Sequence, residues 1–255
     1  MALHIESSGH GPDLILLHGW AMHGGVFAPL LPLLQARFTV HAVDLPGHGR
    51  SRDCGLPLAF DAVWDELRAR IPQPALVMGW SLGGLFALHG ALAHPAACRG
   101  LILQNASPCF VHRPDWPDGM PAQVFRQFAA DLQRDYAQTL HRFFMLEAQG
   151  SEHLRDDLRL LQRTAFEFGE PDARVLVEGL HLLETVDLRA RLPELTMPSL
   201  WLAGRRDRLV SASAMQSACK AAGGAFVCDE HGGHAPFLTH PAAVAAAITR
   251  FTEHL

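Results

Sequence analysis

The sequence predicts an α/β fold in which helices flank a mostly parallel β-sheet and a helical segment is inserted into the chain. Three observations predict this arrangement: strand-sized apolar runs recur, helix-length amphipathic stretches separate them, and the alternation stops over one long segment before it resumes. Short continuous apolar runs are typical of strands buried on both faces of a parallel sheet. Their alternation with helices is the pattern of α/β domains.

Each element follows from a local pattern. The predicted strands, bounded by Gly, Pro or Asp, are Leu14 to Leu17, Phe38 to Val43, Ala75 to Met78, Gly100 to Leu103, Ser199 to Ala203 and Ala225 to Cys228. The predicted helices are Leu58 to Arg70, Leu82 to Ala93 and Ala212 to Ala222. From about Pro108 to Thr185 helical periodicity dominates, after a proline-rich loop. We therefore expect residues 1–108 and 187–255 to form a core and residues 109–186 a helical cap.

The composition excludes several classes of protein. Hydrophobic residues make up 49% and charged residues 18% of the chain, which argues against disorder. The net charge of −5, without a block of Lys or Arg, argues against general affinity for nucleic acid or an anionic membrane. The five scattered cysteines lack the spacing of zinc or redox motifs. With no signal-peptide pattern at the N-terminus, we expect a cytoplasmic protein with reduced thiols. We also expect it to be a monomer.

The strongest chemical signal is Gly79-Trp80-Ser81-Leu82-Gly83-Gly84, between a predicted strand and a predicted helix. A sharp turn there would hold Ser81 in a strained conformation and present its Oγ above the sheet. The N-terminus of the following helix would favour negative charge beside it. A GxSxG pattern also arises by chance in glycine-rich chains, so its place between strand and helix is what predicts a nucleophile.

A serine nucleophile needs a base and an acid that orients the base, here expected in the order Ser, acid, His. Asp207 stands just beyond the strand Ser199 to Ala203, and His234 lies in a glycine-rich loop after the last strand. The alternatives are His231 and His240 for the base, and Asp187 and Asp44 for the acid. We favour His234 because two glycines precede it and allow a tight loop, whereas His240 directly precedes a predicted helix.

Acyl transfer also needs two N–H donors for the negative charge that develops on the substrate carbonyl oxygen. The residue after the nucleophile, Leu82, would supply one through its backbone. The loop Leu17-His18-Gly19-Trp20, after the first predicted strand, would supply the other from Trp20. A purely structural His-Gly turn is the alternative.

Several motifs together resemble the α/β-hydrolase superfamily over the whole chain. They are His18-Gly19-Trp20, Asp44 to Ser51, Gly79 to Gly84, Gly204 to Asp207 and Gly233 to Pro236. Trp20, Trp80 and the segment Arg142 to Glu147 are similar, more narrowly, to the pimeloyl-acyl carrier protein methyl ester esterases of biotin synthesis. The resemblance implies a carboxylesterase that frees the distal carboxylate of a pimeloyl thioester. No metal or organic cofactor is implied.

The same resemblance implies the substrate contacts. They are Trp20, Ser81, Leu82, Phe143, Phe144, Met145, Leu146, Glu147 and His234. Trp20 and Leu82 would border the acyl group, and residues 143–146 would line an apolar channel, although packing within a cap helix explains the same four residues. Glu147 departs from the family pattern, which carries an uncharged amide there.

Acyl carrier proteins are acidic, so a basic docking face is expected. Arg155, Arg159 and Arg163 recur every four residues and would share one helical face, with Arg142 close in sequence. We expect Arg142, Arg155 and Arg159 to contact the carrier protein. Acidic residues are interleaved, and a solvated helix with internal ion pairs explains the same pattern.

Other functions stay open on the same residues. A general short-chain carboxylesterase, a carbon-carbon bond hydrolase or an enol-lactonase would use the same Ser, His and Asp. A non-catalytic binding module is disfavoured because all three residue types occur in the required order.

Overall fold

The computed structural model describes residues 2–253 and 255 of this chain. Within them one sheet has the strand order β1-β3-β2-β4-β5-β6-β7. The strands are β1 (Ile5–Gly9), β2 (Asp13–Leu17), β3 (Thr39–Val43), β4 (Ala75–Trp80), β5 (Cys98–Gln104), β6 (Ser199–Gly204) and β7 (Ala225–Asp229). Only β1 pairs antiparallel among these strands. The mostly parallel α/β sheet is therefore confirmed.

Helices cover both faces of the sheet. They are α1 (Leu31–Leu34), α2 (Phe60–Arg70), α3 (Leu82–Ala93), α4 (Ala122–Arg134), α5 (Tyr136–Ala148), α6 (Leu154–Phe166), α7 (Ala173–Thr185), α8 (Ala212–Ala222), α9 (Pro236–Thr239) and α10 (Pro241–Thr252). The central helix α3 packs against β4 and β5 and is buried almost all round, as its apolar sequence requires. No helix in the described part of the chain combines the length and the hydropathy needed to cross a membrane.

The sequence patterns located six strands and missed β1. Its residues, Ile5-Glu6-Ser7-Ser8-Gly9, are mostly exposed or half-buried and contain no apolar run. It is nevertheless a strand because its backbone pairs with the edge of β3, from Ile5 opposite Val43 to Gly9 opposite Thr39. An edge strand with one neighbour and little burial leaves little trace in hydropathy.

The helical segment between β5 and β6 holds α4 to α7, where helical periodicity predicted it. Its two ends meet: the N–H of Leu188 donates to the carbonyl of Pro108 at 2.9 Å, and Cys109 forms a bridge with Asp187. The chain thus leaves the sheet and returns to it at the same place. The division into a core of residues 1–108 and 187–255 and a cap of residues 109–186 stays a prediction.

Parallel strands bring their carboxyl ends to one edge of the sheet. Ser81 directly follows β4, Asn105 directly follows β5, Asp207 follows β6 within three residues and His234 follows β7 within five. Residues far apart in the chain therefore meet above that edge. This is where binding sites of open α/β sheets form.

Candidate active site

Ser81 lies at a strained turn between β4 and α3. Its backbone has φ 53° and ψ −118°, a conformation that costs free energy in a residue with a side chain. The flanking glycines make the turn possible: a Cβ on Gly79 would lie 2.3 Å from the carbonyl oxygen of Gly83, and one on Gly83 would lie 2.2 Å from that of Leu17. The sequence thus forces Ser81 out of the strand direction at the N-terminus of α3.

His234 and Asp207 form a buried pair. Nδ1 of His234 donates to Oδ2 of Asp207 at 2.8 Å, and both side chains are fully buried. This bond places the ring proton on Nδ1 and leaves Nε2 as a base. Nε2 has no hydrogen-bond partner among the described residues. An unpaired, buried imidazole nitrogen can accept a proton from a nucleophile, which is the arrangement of a general base.

Trp80 connects His234 to the nucleophile turn. Its Nε1 donates to the backbone carbonyl of His234 at 2.9 Å, and the two rings lie 5.6 Å apart. The structure therefore brings the residue before Ser81 into direct contact with His234. Ser81 and His234 are not hydrogen-bonded to each other here. Catalytic hydrogen bonds of this kind often tighten only when substrate binds.

The carboxylate of Asp207 accepts hydrogen bonds on both oxygens. Oδ1 accepts hydrogen bonds from the N–H groups of Leu209, at 2.8 Å, and Val210, at 3.1 Å. Oδ2 accepts a hydrogen bond from Nδ2 of Asn105 at 2.7 Å, in addition to the one from His234. Sequence reasoning missed Asn105. The available signal was its place two residues after the predicted strand Gly100 to Leu103, as the single asparagine of the chain.

Two unpaired N–H groups lie near Ser81. The backbone N–H groups of Trp20 and Leu82 donate to no acceptor in the described part of the chain. A Cβ on Gly19 would lie 3.3 Å from Cβ of Ser81, so the turn that carries Trp20 packs directly against Ser81. Such donors can bind the oxyanion of an acyl-transfer intermediate.

His18 has a structural place in this turn. Its Nε2 accepts the N–H of Leu45 at 2.9 Å, and Nδ1 contacts the carbonyl of Gly19 at 2.7 Å. Complete burial and the neighbouring His48 lower the pKa of His18 to about 3. A neutral His18 therefore links the loop after β2 to the loop after β3.

Trp20 joins this turn to the inserted helices. Its Nε1 donates to the carbonyl of Leu176 in α7 at 2.7 Å, and its ring meets Phe143 of α5 edge-on at 4.4 Å. A Cβ on Gly179 of α7 would lie 2.8 Å from the Trp20 ring and 3.2 Å from the Leu82 side chain. The inserted helices α5 and α7 thus form an apolar wall against Trp20 and Leu82.

The structure separates the residues of the predicted channel. Phe143 contacts Trp20, whereas Phe144 packs on Phe166 inside the helical segment and Leu146 is half-buried. Met145 is 38% exposed on the side of α5 opposite Phe143. The structure does not bring Met145 to the Trp20 wall, because successive helical residues are rotated by about 100°.

Glu147 lies one helical turn from Phe143 and is 1% exposed. Neither carboxyl oxygen has a hydrogen-bond partner among the described residues. Burial, together with the nearby charge of Asp207, raises its pKa well above the usual value of a glutamate. A protonated Glu147 presents a neutral O–H donor, so a carboxyl group here resembles the amide that the family pattern carries.

The alternative bases and acids are engaged elsewhere. His231 is 63% exposed and pairs with Glu152, and Nδ1 of His240 contacts Asp229 at 2.5 Å. Asp187 pairs with Arg189 at 2.8 Å. Asp44 is buried but accepts the N–H of Gly24 and the guanidinium of Arg50. Each of these side chains is thus paired with a group outside the His234–Asp207 pair.

The three arginines expected to contact a carrier protein lie on the surface of the inserted helices. Arg142 is half exposed and pairs with Asp131 at 2.6 Å, next to a groove of about 460 Å³ that Phe128 also lines. Arg159 is 78% exposed beside Asp156, and Arg155 is exposed without an ion pair to any described residue. Phe128 packs on Phe143 at 5.7 Å, so the groove borders the aromatic wall. No cluster of His, Cys, Asp and Glu in the described residues has metal-binding geometry.

Known proteins resemble this chain at two levels. The model of the α/β hydrolase fold family matches residues 12–241. A pimeloyl-(acyl-carrier protein) methyl ester esterase of Stenotrophomonas maltophilia is 52% identical over 254 residues, covering 99% of this chain and 97% of its own. One of Xanthomonas oryzae pv. oryzae is 51% identical over 250 residues, covering 98% of each chain.

Solved structures support the fold. An esterase from Exiguobacterium antarcticum superposes with a TM-score of 0.89 at 22% identity, covering 98% of this chain and 95% of its own. The enol-lactonase from Burkholderia xenovorans LB400 superposes with a TM-score of 0.83 at 19% identity, covering 98% and 96%. The chain therefore belongs to the α/β hydrolase fold family and, within it, to the family of the pimeloyl-(acyl-carrier protein) methyl ester esterases.

Proposed function

We propose that this protein is a serine carboxylesterase that hydrolyses the methyl ester of pimeloyl-acyl carrier protein. The observation that carries the chemistry is the strained Ser81 at the same sheet edge as a buried imidazole that Asp207 orients. The substrate rests on the relatives at 52% and 51% identity, which carry that name over nearly their whole length. As part of this proposal the protein acts as a cytoplasmic monomer with a helical cap over the site.

The mechanism follows from the roles of the side chains. Ser81 Oγ attacks the ester carbonyl while Nε2 of His234 takes its proton. The N–H groups of Trp20 and Leu82 hold the oxyanion, and Asp207 stabilises the imidazolium. The tetrahedral intermediate expels methoxide, which leaves as methanol with the proton from His234. Water, deprotonated by His234, then attacks the acyl-enzyme and releases the carboxylate and free Ser81.

The wall of Trp20, Leu82 and Phe143 fits the aliphatic chain of a pimeloyl group because it offers apolar surface beside the nucleophile. We propose that Phe143, Leu146 and Glu147 contact the chain from α5. Glu147 would donate a hydrogen bond to an ester or thioester oxygen of the substrate, because the methylene groups offer no acceptor. Phe144 supports this wall from inside the cap, and Met145 is left out because it faces solvent.

The direct test compares three substrates on the purified protein: methyl pimeloyl-acyl carrier protein, a short p-nitrophenyl ester and a ring-cleavage diketone. We expect kcat/KM to be highest for the carrier-protein ester. Preference for the p-nitrophenyl ester would make the protein a general esterase, and turnover of only the diketone would indicate carbon-carbon bond hydrolysis. Ser81→Ala should remove labelling by a fluorophosphonate probe, and labelling that persists would place the nucleophile elsewhere.

A second test concerns Arg142, Arg155 and Arg159. Replacing all three by Ala should raise KM for the carrier-protein ester and leave KM for the p-nitrophenyl ester unchanged. Arg37→Ala is the control, since Arg37 is also exposed but precedes β3 at the opposite edge of the sheet. Equal effects of the triple variant on both esters would contradict docking at these residues.

A further inference from the structure

The single asparagine of the chain, Asn105, lies at the centre of the catalytic edge. It directly follows β5, between β4, which leads to Ser81, and β6, which leads to Asp207. Its side chain is fully buried, and its φ of 46° is unusual for a residue with a Cβ. A strained, buried polar residue at this place requires a physical reason.

Every polar atom of the Asn105 side chain is paired. Nδ2 donates to Oδ2 of Asp207 at 2.7 Å and to the carbonyl of Gly233 at 3.0 Å. Oδ1 accepts from Nε2 of Gln104, which selects this orientation of the amide. The two acceptors lie 102 and 128 positions away in the chain, in the loop that carries the acid and in the loop that carries His234.

The backbone of Gln104 and Asn105 contacts the turn that carries Ser81 and the neighbouring strand β6. The N–H of Ser81 donates to the carbonyl of Gln104 at 3.2 Å, and the N–H of Asn105 donates to Leu202 of β6 at 2.8 Å. Gln104 and Asn105 therefore contact all three segments that supply the Ser, the acid and the base.

We propose that Asn105 is a positioning residue for the catalytic reaction: its amide holds Oδ2 of Asp207 in line with Nδ1 of His234 and fixes the His234 loop through Gly233. A carboxylate held only on Oδ1 by the N–H groups of Leu209 and Val210 can turn and weaken its bond to the imidazole. The amide donor on Oδ2 prevents this turn. This inference rests on the proposed function, because it assigns Asn105 a part in the same triad.

The kinetic test uses Asn105→Leu, which keeps the size of the side chain and removes both donors. We expect kcat on the methyl ester to fall between about tenfold and a hundredfold, the range for hydrogen bonds to charged groups, with KM changed less than about twofold. Ser107→Ala is the matched control, since Ser107 is buried in the same loop and bonds to Cys109. Its kcat should stay within about twofold of the parent protein.

Asn105→Asp separates positioning from general stability. A carboxylate at this place adds negative charge beside Asp207 and favours the imidazolium form of His234. The acid limb of the kcat/KM profile should therefore move to higher pH, whereas Asn105→Leu and Ser107→Ala should not move it in that direction. A residue that only stabilises the fold would lower the amount of active enzyme without moving the limb.

A third measurement needs no variant of Asn105. Selective 15N labelling of asparagine yields one side-chain amide, so its two proton resonances are assigned without ambiguity. Both should be resolved and protected from exchange, and both should shift when a fluorophosphonate modifies Ser81 and His234 becomes charged. Wild-type protein that the probe does not label would count against the proposed function itself. Successful labelling with unmoved amide resonances, or an unchanged kcat in Asn105→Leu, would overturn the role of Asn105.

Discussion

At the scale of single residues, two buried carboxyl groups show how the environment decides chemical character. Asp207 receives hydrogen bonds from backbone and side-chain donors on both oxygens. Glu147, close enough for Asp207 to disfavour its charge, receives none from the described residues. The first carboxyl group is fully hydrogen-bonded, whereas burial without a described partner raises the pKa of the second. The amino-acid composition counts both as acidic residues and does not distinguish them.

The role of Asp207 predicts a large kinetic effect. In Asp207→Asn a neutral amide replaces the carboxylate that accepts the hydrogen bond from Nδ1 of His234. The imidazole is then no longer held in the tautomer that leaves Nε2 free, and the imidazolium has no negative charge beside it. We expect kcat to fall by about 10⁴, as for the same change in a serine protease triad. Circular dichroism and the thermal midpoint should stay near those of the parent protein. A decrease smaller than about tenfold would point to another carboxylate as the acid.

The raised pKa of Glu147 leads us to expect that the stability of the protein depends on pH. Its pKa is raised in the folded protein, so between the unfolded value near 4.5 and the folded value the native state binds more protons, and stability falls as pH rises. Glu147→Gln removes this slope, which is at most about 1.4 kcal/mol per pH unit. In urea unfolding, the variant should match the parent below pH 4.5 and become progressively more stable above it.

The control for this series is Glu152→Gln. Glu152 is exposed, and the neighbouring His231 and Arg206 lower its pKa despite the opposing effect of desolvation. Its contribution to stability is present above the unfolded pKa and is lost as pH falls through the folded one. The difference between this variant and the parent should therefore have the opposite sign. A Glu147→Gln difference that does not change with pH would contradict a neutral carboxyl.

At the scale of elements, the catalytic turn depends on how closely α3 approaches the strands beneath it. Gly79 faces the backbone of α3, and Gly83 faces the backbone at the end of β2. These contacts press the start of α3 against the loop that carries Trp20, so Ser81 and the N–H groups of Trp20 and Leu82 are held by one set of backbone contacts. The positive φ of Ser81 is stabilised by this packing.

Gly83→Ala tests that packing. The added Cβ would lie 2.2 Å from the carbonyl oxygen of Leu17, which belongs to a central strand and cannot move freely. We expect the free energy of unfolding to fall by about 1–3 kcal/mol and fluorophosphonate labelling to slow. Gly223→Ala is the control: it has φ 67° with no atom within 4 Å of the added Cβ, so it should cost stability without slowing labelling.

At the scale of the whole molecule, the distribution of charge matters more than the net charge. The chain carries −5 in total, which would repel an acidic carrier protein. The exposed Arg142, Arg155 and Arg159 would have to overcome that repulsion locally. Whether association weakens or strengthens with added salt distinguishes attraction by the arginines from repulsion by the net charge.

We expect kcat/KM for methyl pimeloyl-acyl carrier protein to decrease as NaCl rises from low to physiological concentration, because salt screens the attraction to the arginines. Methyl esters of small uncharged acids should show no such decrease. An increase with salt for the carrier-protein ester would mean that net repulsion dominates and that the arginine face is not the docking surface.

The tight turn at Ser81, the places of Asp207 and His234 after strand ends and six of the strands could be predicted because they leave local marks. These marks are apolar runs, glycines at fixed offsets and polar residues just after strands. Strand β1 could not, because its stability comes from pairing with β3 rather than from its own apolar residues. Met145 could not be separated from Phe143 until the orientation of α5 was known.

The sequence by itself determined that a serine, an aspartate and a histidine follow strand ends, and a parallel sheet gathers such ends at one edge. Only the tertiary structure decided that His234 rather than His231 or His240 pairs with Asp207, that Asn105 joins the acid and base loops, and that Glu147 is buried without a partner. The physical reason is the separation in sequence of the residues that make contact. Local patterns depend on neighbours a few residues away, whereas these contacts join segments that the fold alone brings together.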